Sequence, residues 1–202
     1  MTGIAVAAGV FGCIAFIATE LSAALCSRVA PADDGPAPRT PPIVMLVAAA
    51  ALIGGMLLAW SAAPLQIVAA AIVVFALVAC WCSDARCGIV PDAFTLGPLA
   101  ALLLLALGQR DWEVLWSAAI PSAFFAAAAL YSRGHGMGWG DAKFVAITGA
   151  ALGAPLALFA LALACVAAVI AQRLPKAARG PIAFAPYIAA ATGIALPFGM
   201  LR

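Results

Sequence analysis

Apolar residues fill this chain in long blocks that short polar interruptions separate. The blocks fall at about 3–25, 43–62, 65–82, 93–108, 114–131, 142–153, 155–171 and 183–200. A helix needs roughly 20 mostly apolar residues to cross a bilayer, so the pattern predicts an all-α, polytopic helical membrane protein with eight crossings. The block at 142–153 is too short to span alone. Pro155, directly after Gly153 and Ala154, nevertheless argues for a break, because a proline ring cannot continue a helix and disfavours helix in the residue before it. A single bent helix over 142–171 is the competing reading.

Composition agrees with the pattern. The 202 residues are 67% hydrophobic and 9% charged, with a mean hydropathy of +1.16, against about 25% charged residues in soluble domains. No room is left for a soluble domain. No basic residue precedes the first block, so it is expected to be a retained helix rather than a secretory signal. The net charge of +2 gives no reason to expect nucleic acid. The six cysteines, Cys13, Cys26, Cys80, Cys82, Cys87 and Cys165, lie in or at the ends of apolar blocks without paired Cys-x-x-Cys spacing. They are read as buried small residues rather than metal ligands or disulfide partners.

The placement of charge decides the topology. With the amino terminus outside, the inner connections hold Arg28, Arg39, Arg86, Arg133, Lys143, Arg173, Lys176 and Arg179, and only Arg110 and Arg202 lie outside, eight against two. Merging 142–171 into one crossing moves Arg173, Lys176 and Arg179 outward and Arg202 inward and leaves six against four, a much weaker bias under the positive-inside rule. Eight crossings are therefore preferred. The connection at 26–42, rich in proline with mixed charges, reads as a cytoplasmic linker too short to fold.

Of the eight acids, Asp33 and Asp34 fall in that linker, and Asp111 and Glu113 in an outer loop, where solvation suffices. Glu20 lies within the first crossing near its inner end, a functional candidate by depth that an interfacial position would also explain. Asp84 and Asp141 differ. The topology puts each at the cytoplasmic end of a crossing, so one membrane face can collect both. Two carboxylates in one site cannot both ionise cheaply; one keeps a proton while the other is charged, and the pair can activate a water and protonate a carbonyl. That chemistry needs neither cofactor nor metal.

The surroundings of Asp141 suit such a site. In "GHGMGWGDAKF", Gly134, Gly136, Gly138 and Gly140 remove side chains over seven residues, which lets an extended backbone approach the acid; tight packing of a helix start is the alternative. Lys143 either supports the charge of Asp141, orients the helix start or anchors topology. His135, the only histidine, could tune the pair or cap a helix. Asp92 after Pro91 suits the positive end of a helix. Arg86 and Arg133 read as topology anchors.

The residues resemble those of the type IV prepilin peptidases, members of the Gly-x-Gly-Asp aspartic membrane peptidases. "GMGWGDAKF" is similar to the signature around that family's second catalytic aspartate. "SDARCGIVPDAFTL", residues 83–96, is similar to the region around the first, with a Val-Pro-Asp turn before the next helix. "GALGAPLALF" from residue 149 and "GPIAFAPYIAAATG" at 180–193 resemble the end of the short helix and the start of the last. In the last motif the first proline precedes Ile182, and Ala183 follows it.

By that resemblance, which covers roughly 65–200, Asp84 and Asp141 are the catalytic pair, and Gly138, Gly140, Lys143 and Pro91 shape the substrate site. The implied protein has two parts, residues 1–64 with the first two crossings and a peptidase-like membrane part at 65–202. The implied activity is removal of the short basic leader from prepilins or pseudopilins, at the cytoplasmic face of a bacterial inner membrane. Bifunctional members carry paired Cys-x-x-Cys motifs, linked to methylation, between their first two crossings. Here Ser27 to Pro42 has none, so peptidase activity without methyltransferase activity is expected. A transporter using the same aspartates and a non-catalytic pilus or secretion assembly component are the alternatives.

Overall fold

The computed structural model describes residues 2–29, 43–60, 62–132, 138–173 and 183–199. Most of the proposed linker at 26–42 lies outside the described residues, as do Gly134, His135 and Gly136. Eight α-helices and no strands occupy the described residues. They are α1 (Thr2–Val29), α2 (Ile43–Ala59), α3 (Pro64–Cys87), α4 (Asp92–Gln109), α5 (Trp112–Tyr131), α6 (Trp139–Leu152), α7 (Ala154–Arg173) and α8 (Ala185–Gly199). Five of them, α1, α3, α4, α5 and α7, are long and apolar enough to cross a membrane. The protein is an all-α polytopic membrane protein. Large apolar side chains such as Val44, Leu104, Phe124 and Ile194 face outward, as expected where the solvent is lipid.

The break before Pro155 is present. The backbone of Gly153 turns out of the helix with φ 75 and ψ 153, and its N–H closes α6 on the Gly149 carbonyl at 3.0 Å. Pro155 then falls in the first turn of α7, where a missing N–H costs nothing. α6 has 14 residues, about 21 Å at 1.5 Å per residue, short of the roughly 30 Å of hydrocarbon.

α3 runs through the middle of the molecule, with Val73, Ala76, Ala79 and Cys80 among its buried residues. α1 lies against it through Thr19, Cys26 and Arg86. α2 closes on α1 where Gly54 meets the ring of Phe11, too near for any side chain. α6 is buried along most of its length. Pro121 has no N–H to offer the Ser117 carbonyl one turn earlier in α5, and Gly149 of α6 packs onto that freed oxygen so closely that a Cβ would overlap it. Thr148 and Thr192, both fully buried, share a hydrogen bond of 3.0 Å between α6 and α8, which satisfies two hydroxyls in an otherwise apolar contact.

The cysteines depart from the expectation that all are buried small residues. Cys80 and Cys82 are buried, but Cys13 and Cys165 are exposed, and Cys26 is disulfide-bonded to Cys87. The bond joins the ends of α1 and α3, 61 residues apart in sequence. Sequence spacing could not show it, because only the side-by-side packing of the two helices brings the sulfurs together.

Helix ends sort into two groups. A cavity of about 300 Å³ is lined by Leu65 and Gln66 at the start of α3, Gln109 at the end of α4, Glu113 in α5, Gly153 and Gly199. The end of α3 and the starts of α4, α6 and α8 gather at the opposite end, where Asp84, Asp92, Lys143 and Ala185 meet in pairs.

Candidate active site

α3 continues past its apolar block because the ladder holds until Gly88. That glycine takes the left-handed conformation (φ 65) and returns its N–H to the Asp84 carbonyl at 2.9 Å, a helix stop for which glycine is suited. Asp84 is thereby fixed in the last turn of α3, facing inward and 8% exposed. Its Oδ2 accepts a hydrogen bond of 3.0 Å from the backbone N–H of Ala185, the first residue of α8. The first N–H groups of a helix have no partner within it. Asp84 supplies one from another helix and lies at the positive end of α8.

Asp141 holds the matching position on α6. Gly138 precedes the helix with extended backbone (φ −79, ψ 148), and its carbonyl accepts the Asp141 N–H at 3.2 Å. The Asp141 carboxylate turns back toward Gly138, its Oδ2 lying 3.6 Å from where a Cβ of that residue would stand. Each carboxylate thus sits at the N-terminal end of a short helix. Cys80, one turn before Asp84, is fully buried, and its Sγ lies 3.7 Å from the Phe94 carbonyl.

The other predicted site residues separate. Gly140 has no room for a side chain, since a Cβ there would stand 2.8 Å from the Cβ of Val90. Gly138 is exposed, and a Cβ there would meet nothing nearer than Asp141 Oδ2 at 3.6 Å. Pro91 is the residue before α4, with ψ 140, and its carbonyl accepts the Phe94 N–H at 3.0 Å. Lys143 does not turn to Asp141; its Nζ is 2.6 Å from Oδ1 of Asp92. Arg86 reaches the Thr19 carbonyl at 3.5 Å. Glu20 is exposed on α1.

Two participants were not legible as such. Asp92 reads in the sequence as a helix-start acid, and only its position on the same face as Lys143 hints at a pair. Ala185 contributes a backbone N–H, which has no side-chain signature; Pro186 in the first turn marks only that a helix starts there. Among the described residues, no group of three or more His, Cys, Asp or Glu is placed to hold a metal ion.

A bundle of apolar helices with two inward carboxylates at one end defines a polytopic membrane protein built around a polar site. Residues 70–172, just over half of the chain and including both Asp84 and Asp141, match the model of the type IV leader peptidase family. The chain belongs to that family, and is a membrane peptidase of that general kind. No curated protein and no solved structure matches it.

Proposed function

We propose that this protein is an aspartic endopeptidase that removes the short basic leader from prepilins or pseudopilins at the cytoplasmic face of a bacterial inner membrane. One observation carries the reading: Asp84 and Asp141, from helices far apart in sequence, stand at one end of the bundle, Asp84 against the start of α8 and Asp141 next to Gly140, which packs on Val90 just past the end of α3. In this reading one carboxyl is protonated and the other charged. The charged one takes a proton from a water as its oxygen attacks the scissile carbonyl, and the protonated one gives its proton to the carbonyl oxygen. As the C–N bond of the tetrahedral diol breaks, the protonated carboxyl gives its proton to the leaving amine and the charged one takes a hydroxyl proton from the diol, which returns the pair to its starting state.

The remaining residues take supporting roles. Gly138, exposed in front of Asp141, leaves space for an extended substrate backbone. Gly140 and Pro91 set the contact between the start of α6 and the turn before α4, and Lys143 holds α6 through Asp92. The basic bias of the inner connections supports a cytoplasmic site, with the amino terminus outside. Residues 65–202 form the peptidase part, with 1–64 adding two crossings. The acidic pair complements a basic leader, while the substrate's apolar helix stays in the bilayer.

The test is leader removal in membranes, with a candidate prepilin and wild type, Asp84→Asn and Asp141→Asn at matched protein levels. A size shift of the precursor with wild type alone is the expected result. Cleavage by both variants would end the paired-carboxylate reading. No cleavage by wild type with several prepilins would favour a transporter or an assembly component.

A further inference from the structure

We infer that the ion pair between Lys143 and Asp92 is a positioning clamp: it fixes the first turn of α6 against the start of α4 and so sets where Asp141 stands relative to Asp84. This rests on the proposed catalytic role of the two aspartates. Successive residues of an α-helix are about 100° apart around its axis, so residues three apart share a face. Gly140 and Lys143 therefore lie together on one side of α6. Both meet the same short segment, Gly140 packed on Val90 and Lys143 paired with Asp92 at 2.6 Å. Asp141 projects about 100° from Gly140 and about 160° from Lys143, away from that segment. The contact and the ion pair thus hold the back of the turn that presents Asp141.

Other features point the same way. α6 is the shortest helix described, and its first turn is where the ladder has least support of its own. Lys143 and Asp92 are 51 residues apart, and theirs is the only salt bridge among the described residues. The side chains are 32% and 63% exposed, and ion pairs in such positions contribute little to folding. Its worth is in geometry, since a displacement of about 1 Å at a reacting group can cost about a hundredfold in rate. A residue that bound the leader directly would instead alter substrate affinity.

The experiment uses the full chain in lipid nanodiscs. Leader-cleavage kinetics are measured for Asp92→Asn, Lys143→Met, the double variant and Lys143→Arg, with backbone hydrogen exchange followed over residues 138–145. Each single change is expected to lower kcat about tenfold to a hundredfold with KM within about threefold of wild type. The double variant falls no further than the weaker single, because both remove the same contact. Lys143→Arg recovers most of the loss, and exchange in the first turn of α6 rises whenever the pair is lost. Unchanged kcat in both single variants, effects that multiply in the double, or a raised KM with kcat intact would each overturn the clamp. If wild type shows no leader cleavage, the proposed function fails and exchange alone decides: unchanged exchange in Lys143→Met and Asp92→Asn overturns the clamp as well.

Discussion

The carboxylate of Asp84 caps a helix that begins 101 residues later, accepting the Ala185 N–H at 3.0 Å. One acid thus serves α8 and, in the proposed mechanism, the substrate. The two roles can be separated by substitution.

Asp84→Asn keeps an oxygen that can accept the Ala185 N–H but cannot exchange a proton near neutral pH. Thermal stability in detergent should stay close to wild type while leader removal falls by roughly 10²–10⁴. Asp84→Ala loses the cap too and should be less stable by about 1 kcal/mol. Equal loss of stability in the two variants would show that the carboxylate does more for the fold than accept this bond.

Gly138 and Gly140 should respond differently to alanine. At Gly140 the new methyl would press on Val90, shifting the start of α6 and lowering kcat by about tenfold to a hundredfold. At Gly138, with open space and φ −79, alanine is accommodated and the protein should stay folded with α6 in place. Hydrogen exchange across the first turn of α6 distinguishes the two, rising for Gly140→Ala alone. Equal exchange in both would mean that Val90 yields.

Gly149→Ala tests the contact between α5 and α6 away from the carboxylates. The added methyl would overlap the Ser117 carbonyl oxygen and crowd Pro121. Overpacking of this kind costs typically 1–3 kcal/mol, read as a lower midpoint in detergent denaturation. Gly97→Ala is the control, because nothing lies within 4 Å of its added Cβ. A midpoint for Gly149→Ala equal to that of the control would mean that the helices can separate at small cost.

Cys26 and Cys87, placed to bond at the ends of α1 and α3, report the orientation of the site. In the proposed topology they face the cytoplasm, where thiols are kept reduced. Acid trapping and maleimide labelling of intact cells should find both free, whereas protein purified in air should carry the bond. A pair already oxidised in cells would place this end on the opposite side and sink the cytoplasmic assignment.

The sequence by itself determined the class of protein. Long continuous apolar blocks cross lipid as helices, since barrel strands are shorter and alternate, so eight blocks and their interruptions were legible without coordinates, as was the break at Gly153 and Pro155. Asp84 and Asp141 were legible as candidates, because the order of crossings puts both at the same end of the bundle. Tertiary structure decided the relations between elements. The capping of α8 by Asp84 involves a backbone N–H of Ala185, which no residue type announces. Lys143 turned to Asp92 instead of Asp141 because helical geometry puts it on the far side of the turn. The bond between Cys26 and Cys87 depended on the packing of α1 along α3. Hydropathy acts on each segment against its solvent and can be read locally; these contacts depend on the relative placement of helices, which the pattern of apolar residues leaves open.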